Sequence, residues 1–186
     1  MNWYKRFTVL GIIIIAAVFI AVTDILATPK EYTAEVLFLP DNKLMPVLLK
    51  DFDESSAEIK CALYMFRTDS NSSAPPVQLR NAMLKALERG VKVGVVLELG
   101  EKSDITTHYN TYTGKALKNA GATVVFSKPE RRMHTKMCVV DGKTVFIGSH
   151  NYTSSAMLKN SEVTVRVRSP EIASESLKYL NDLGLK

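Results

Sequence analysis

The chain has 186 residues, 46% apolar and 23% charged, a balance that excludes a disordered chain. Its length suits one well-buried core and is too short for two ordinary domains plus an anchor. A formal charge of +5 and a pI near 9.1 permit binding to nucleic acid or to an anionic membrane without choosing between them, and the cysteines and histidines fall at no metal-ligand spacing.

Much of the apolarity lies at the start. Residues 7–23 read FTVLGIIIIAAVFIAVT with no polar face, and at 1.5 Å per residue a helix there spans about 25 Å, the short end of a membrane crossing. Lys5 and Arg6 before it favour a cytoplasmic N-terminus and export of the rest. Ile25-Leu26-Ala27 is a poor approach to a small-x-small cleavage site, so a retained anchor is preferred to a cleaved leader. The expected organisation is a signal anchor or signal peptide at 1–27, a short linker at 28–31 and a folded domain at 32–186. The domain is then expected outside the cytoplasm, held at a bacterial inner membrane through residues 7–27, or periplasmic or secreted if the leader is removed.

Along the domain, Glu35–Leu39 is a short strand ended by Pro40-Asp41-Asn42, and Met45–Phe52 starts a brief helix. Ile59–Phe66 is a strand with both faces apolar, as in a sheet covered on two sides. A polar loop, Arg67–Pro76, leads to a helix over Val77–Glu88 stopped near Gly90, and Val91–Leu97 returns as a strand, which predicts a βαβ unit. Glu98–Thr113, with His108, reads as a second polar connection, followed by a helix over Thr113–Asn119 and a strand over Ala122–Phe126. Tyr64, Phe66, Phe126 and Phe146 read as core. Cys61 and Cys138 both lie in apolar strand patterns and are expected as two buried thiols, with a disulfide as the alternative if the domain is exported.

The chemistry gathers in MHTKMCVVDGKTVFIGSHNYTSSAMLKNSE, Met133–Glu162. A strand from His134 to Val140 puts His134 and Lys136 on one face. Asp141-Gly142 is a tight turn, Lys143–Ile147 a return strand, and the Gly148-Ser149 turn brings Ser149 and Asn151 back beside the pair. An imidazole, an ammonium, a hydroxyl and a carboxamide together suit a phosphoryl group: fixed donors hold its oxygens while histidine attacks phosphorus or moves a proton. His150 alternates away from Ser149 and is expected in a structural or rim role. Lys128, Arg131 and Arg132, just before His134, form a basic approach for a polyanion.

The series His134, Lys136, Asp141, Gly148, Ser149 and Asn151, with Glu162 downstream, resembles the HKD signature of the phospholipase D superfamily, and the likeness extends over roughly Tyr32–Leu183. Its nearest form is the small bacterial endonuclease with a single motif, a group that also resembles the mitochondrial cardiolipin hydrolase. The resemblance implies an α/β fold, a mixed sheet flanked by helices with one HKD half-site per chain, here preceded by the N-terminal transmembrane or signal helix, and closed by a strand at Val163–Arg168 and a helix at Glu171–Asp182. It implies a phosphodiesterase that needs no metal or other cofactor. His134 would attack phosphorus to form a phosphohistidine, Lys136 and Asn151 would hold the phosphoryl oxygens, Ser149 would support the turn, and Glu162 would orient the His134 ring. Asp141, of opposite strand parity to His134, is assigned with Gly148 to structure. With one histidine per motif and two roles to fill, the resemblance implies a homodimer with a shared site. The expected substrate is DNA or RNA, with phospholipid, as in a phospholipase D or cardiolipin hydrolase, as the alternative.

Overall fold

The structure, a computed structural model, describes residues 30–186 apart from positions 70 and 129. Within the compact unit Thr33–Lys186 the strands are β1 (Glu35–Pro40), β2 (Glu58–Leu63), β3 (Lys92–Leu97), β4 (Thr123–Phe126), β5 (Lys136–Val140), β6 (Thr144–Gly148) and β7 (Val163–Arg168). The α-helices are α1 (Leu44–Asp53), α2 (Pro75–Glu88), α3 (Ile105–Asn119), α4 (Ser154–Leu158) and α5 (Pro170–Asp182). All seven strands join one sheet in the order β1-β7-β6-β5-β2-β3-β4. β2, β3 and β4 run parallel, as the βαβ reading requires, and the other pairings are antiparallel.

Alternation along the strands divides the core between the two faces of the sheet. Ile59, Cys61 and Leu63 of β2, Val95 and Leu97 of β3, and Cys138 and Val140 of β5 pack with Leu48 and Phe52 of α1, Leu79 and Met83 of α2 and Leu117 of α3. Their neighbours Ala62, Val96, Met137 and Val139 turn the other way and pack with Ala173 and Leu180 of α5. Residues of both kinds are almost wholly removed from water, which is why β2, β3 and β5 read as continuous apolar runs.

Turn and cap chemistry fixes the ends. Asp141 and Gly142 both take positive φ in the β5–β6 hairpin. Ser169 caps α5 by accepting from the Ile172 N–H, with Pro170 in its first turn. At Gly148 the backbone passes so close to β7 that a Cβ would run into the Val163 carbonyl and Thr164.

Several expectations are corrected. The N-terminal transmembrane or signal helix expected at 7–27 lies outside the described residues, and among the described residues no helix is long and apolar enough to cross a membrane. Membrane association through 7–27, and inner-membrane, periplasmic or secreted localisation, therefore have no support among the described residues. The polar connection expected at Glu98–Thr113 is mostly helix: α3 begins at Ile105, capped by the Asp104 carboxylate on the Thr106 N–H. Cys61 and Cys138 are not free thiols but a disulfide, because the β2–β5 register sets them directly opposite with Cα atoms 4.1 Å apart.

Candidate active site

His134 sits just before β5, not in it as the alternation suggests, although the Tyr64 N–H donates to the Thr135 carbonyl at 2.8 Å and carries the β2–β5 pairing past the strand end. Its ring lies against Tyr64 with centroids 4.4 Å apart. Lys136 Nζ lies 4.8 Å from the centre of the same Tyr64 ring and donates to the His134 carbonyl at 2.8 Å. Imidazole and ammonium thus share one aromatic support. Partial burial holds the His134 ring below the usual histidine range, the charges of Lys136 and Arg132 push it further down, and Glu98 opposes them. Burial likewise lowers Lys136, against the pull of Glu162.

Behind this pair lies a group that alternation did not reveal. Glu98 is 4% exposed, and one carboxylate oxygen, Oε2, accepts from Ser127 Oγ at 2.7 Å and from the Met133 N–H at 2.8 Å. It therefore fixes both ends of the segment that delivers His134. Asn110, fully buried on α3, donates to the Tyr64 and Glu98 carbonyls and accepts from the Phe66 N–H, each at 2.8 Å. Glu98 carried a readable signal, a carboxylate ending an apolar strand where parallel sheets place their sites. Asn110 carried none, since it stood in a stretch read as polar loop.

Ser149 and Glu162 are brought together. Ser149 Oγ donates a short hydrogen bond to the Glu162 carboxylate and accepts from the Val163 N–H at 3.0 Å. Asn160 donates to the other Glu162 oxygen at 3.1 Å, and Asp41 holds the Glu162 N–H at 3.0 Å. The Glu162 carboxylate is thus engaged by Ser149 and Asn160. Asn151 is pinned from the next residue, where Tyr152 exchanges backbone hydrogen bonds with Met65 and Arg67, and its own Oδ1 is buried without a partner. His150, 1% exposed, shares a hydrogen bond with Thr164 Oγ1 at 2.8 Å and, because a carbonyl only accepts, donates from Nε2 to the Asp41 carbonyl at 2.9 Å.

Asp141 is elsewhere. Its carboxylate accepts from the backbone N–H groups of Ser56, Ala57 and Glu58 and from Ser56 Oγ, tying the β5–β6 turn to the start of β2. Burial raises its pKa, but those donors prevail and hold the group below the ordinary aspartate range.

Two cavities open beside these residues. One, of about 610 Å³, is lined by His134 with Lys128, Arg131 and Arg132 and by Tyr179 and Asp182 of α5. The other, of about 410 Å³, is lined by Asn151 with Arg67, Tyr109 and Asn160. Among the described residues no group of three or more His, Cys, Asp or Glu side chains is placed to hold a metal ion.

The model of the cardiolipin synthase, PLD-like domain family matches residues 48–183, most of the chain and every motif residue from His134 to Glu162. The chain belongs to the phospholipase D superfamily. It carries a single HKD motif of that superfamily. Its fold is similar to that of Nuc, a phospholipase D family member from Salmonella typhimurium (TM-score 0.68, 23% identity, 81% of this chain and 94% of that one). It is also similar to NucT from Helicobacter pylori (TM-score 0.64, 20% identity, 82% and 96%). At these identities the two structures establish the fold alone. In sequence the chain is 30% identical over 112 residues to cardiolipin synthase B of Salmonella typhimurium, covering 52% of this chain but only 26% of that protein. The chain therefore spans about a quarter of the length of that curated relative. The partner expectations are corrected here as well: the membrane segment lies outside the described residues, and no finding on the described residues establishes a homodimer or a nucleic-acid partner.

Proposed function

We propose that this chain is a phosphodiesterase that cleaves nucleic acid without a metal cofactor, with His134 as nucleophile. The observation that carries the reading is the shared seat of His134 and Lys136 on Tyr64, with His134 also lining a cavity beside Lys128, Arg131 and Arg132. A ring held below the usual histidine range is neutral near neutral pH and keeps a lone pair for phosphorus. A ring nitrogen of His134 bonds to phosphorus, the phosphorus–oxygen bond to the leaving group breaks, and the departing oxygen takes up a proton. Water then cleaves the nitrogen–phosphorus bond, returning the imidazole and releasing a phosphomonoester. Lys136 stabilises the charge on the phosphoryl oxygens through both steps. The three cations of the cavity outnumber its one carboxylate, Asp182, and favour a polyanion over a lipid whose phosphate is flanked by acyl chains.

The test is turnover by purified protein in EDTA on single- and double-stranded DNA, RNA, phosphatidylcholine and cardiolipin, with His134→Ala as the background. Nucleic-acid cleavage that disappears in H134A is the expected result. His134-dependent lipid hydrolysis without nucleic-acid cleavage would replace this reading with the phospholipase one, and unchanged turnover by H134A would remove the nucleophile assignment.

A further inference from the structure

Two motif residues, the proposed nucleophile His134 and the phosphate-holding Asn151, line different cavities. A ligand that meets both residues extends to either side of the reacting phosphorus. The cavity on the Asn151 side has one cation, Arg67, neutral hydroxyl and amide groups from Thr153, Ser155 and Asn160, and no carboxylate among its described lining residues.

Arg67 is unusually well supported for a residue at the edge of a loop. Its own N–H donates to the Tyr152 carbonyl at 2.9 Å. On either side, Phe66 is bonded to Asn110 and Thr113 of α3, and Thr68 Oγ1 to Thr113 at 2.9 Å. The guanidinium lies over the ring of Tyr109, also on α3, with its carbon 4.2 Å from the centroid, and Asp69 accepts from Nε at 2.8 Å. With the Nε edge engaged by Asp69, the Nη hydrogens are the fork that a bidentate phosphate contact uses. The group is thus oriented before any ligand arrives, which lowers the entropy lost on binding.

We infer that Arg67, stacked on Tyr109, forms a flanking subsite that binds the phosphate next to the one cleaved in a single nucleic-acid strand. The inference rests on the nuclease reading and adds to it that the enzyme grips its substrate on the Asn151 side as well as at the Lys128, Arg131 and Arg132 wall. An extended strand with a phosphate at every residue spans such an arrangement, and a small phosphodiester does not.

The experiment compares wild type with Arg67→Ala and Arg67→Lys on a single-stranded DNA oligonucleotide and on bis(p-nitrophenyl) phosphate, which has one phosphodiester and no neighbour. For R67A the loss of kcat/KM on the oligonucleotide is expected to exceed the loss on the small diester by about tenfold, the scale of one hydrogen-bonded charge, and to reside in KM. R67K, which keeps the charge but not the fork or the stack, falls between. The same ranking is expected in fluorescence-anisotropy titrations of the oligonucleotide with each variant in a His134→Ala background, where no turnover is needed. Equal losses on both substrates, or none on either, overturn the subsite while leaving the nuclease reading in place. Wild-type activity on the small diester but no oligonucleotide overturns both. Tighter binding of linear polyphosphate than of DNA, with the same dependence on Arg67, overturns the assignment to nucleic acid.

Discussion

Glu98 accepts the backbone N–H of Met133 at 2.8 Å, one residue ahead of His134, and does so with the same oxygen that holds Ser127. A buried carboxylate thereby positions the segment leading to His134 and adds an acidic neighbour to its ring, and the two effects separate by mutation. Glu98→Gln keeps an oxygen for both donors and loses the charge. It is expected to fold with near-wild-type stability, while the His134 pKa, measured by NMR, falls below that of wild type because an acidic neighbour no longer raises it. Glu98→Ala leaves the Met133 N–H buried without an acceptor and is expected to cost about 1–3 kcal/mol in urea denaturation.

The pH dependence of turnover follows from the same histidine. Since its folded value lies below the ordinary one, the acid limb of the rate profile is expected below the usual histidine range. Lys136→Met removes a cation that lowers this value, so in that variant the NMR titration of His134 moves upward even as phosphate binding and turnover fall. For stability the sign runs the other way: the unfolded chain takes up the proton first, so falling pH through the histidine range weakens the fold through this group.

Asp141 is expected to matter for folding and not for chemistry. Asp141→Ala removes the acceptor of three backbone N–H groups and is expected to lower stability by about 1–3 kcal/mol at neutral pH. Turnover per folded molecule should stay within a factor of about two. Because the folded carboxylate is held below its ordinary value, its contribution is present above the unfolded aspartate range and lost as pH falls towards the folded value. Denaturation midpoints of wild type and D141A should therefore converge in acid.

The disulfide closes a loop with a sequence separation of 77 and lies wholly inside the sheet. Replacing both Cys61 and Cys138 by Ala is expected to lower unfolding free energy by about 2–4 kcal/mol. Thiol titration of denatured, unreduced wild type is expected to find neither cysteine free. Gly148→Ala should cost at least as much as a typical overpacked core, about 1–3 kcal/mol, since the new methyl meets the β7 backbone instead of a side chain that could yield.

The apolar runs at β2, β3 and β5, the Asp141-Gly142 turn and the spacing from His134 to Asn151 made the central sheet and the family legible in the sequence. The first half of helix α3, before Thr113, was not, because the face the helix buries is Thr106, Thr107, Asn110, Thr113, Gly114 and Leu117, a helical period written largely in polar residues. That face is polar because it serves backbone groups of the β2 extension. Tyr64 read as core, and its role under His134 and Lys136 depends on what lies beside it in the fold. The Cys61–Cys138 pairing depended on strand register, which alternation alone leaves open.

The hold of Asn110 and Thr113 on residues 64–68 also bears on motion. Phe66 lies beyond the last residue of β2, where an amide would ordinarily exchange with solvent through small local openings. Its N–H is bonded to a side chain that is itself wholly buried and tied at two further points, so releasing that hydrogen means lifting α3 away from the sheet. In a deuterium-exchange experiment the Phe66 amide should therefore be replaced as slowly as those of β3, which makes this edge of the site part of the slowest-opening unit of the protein.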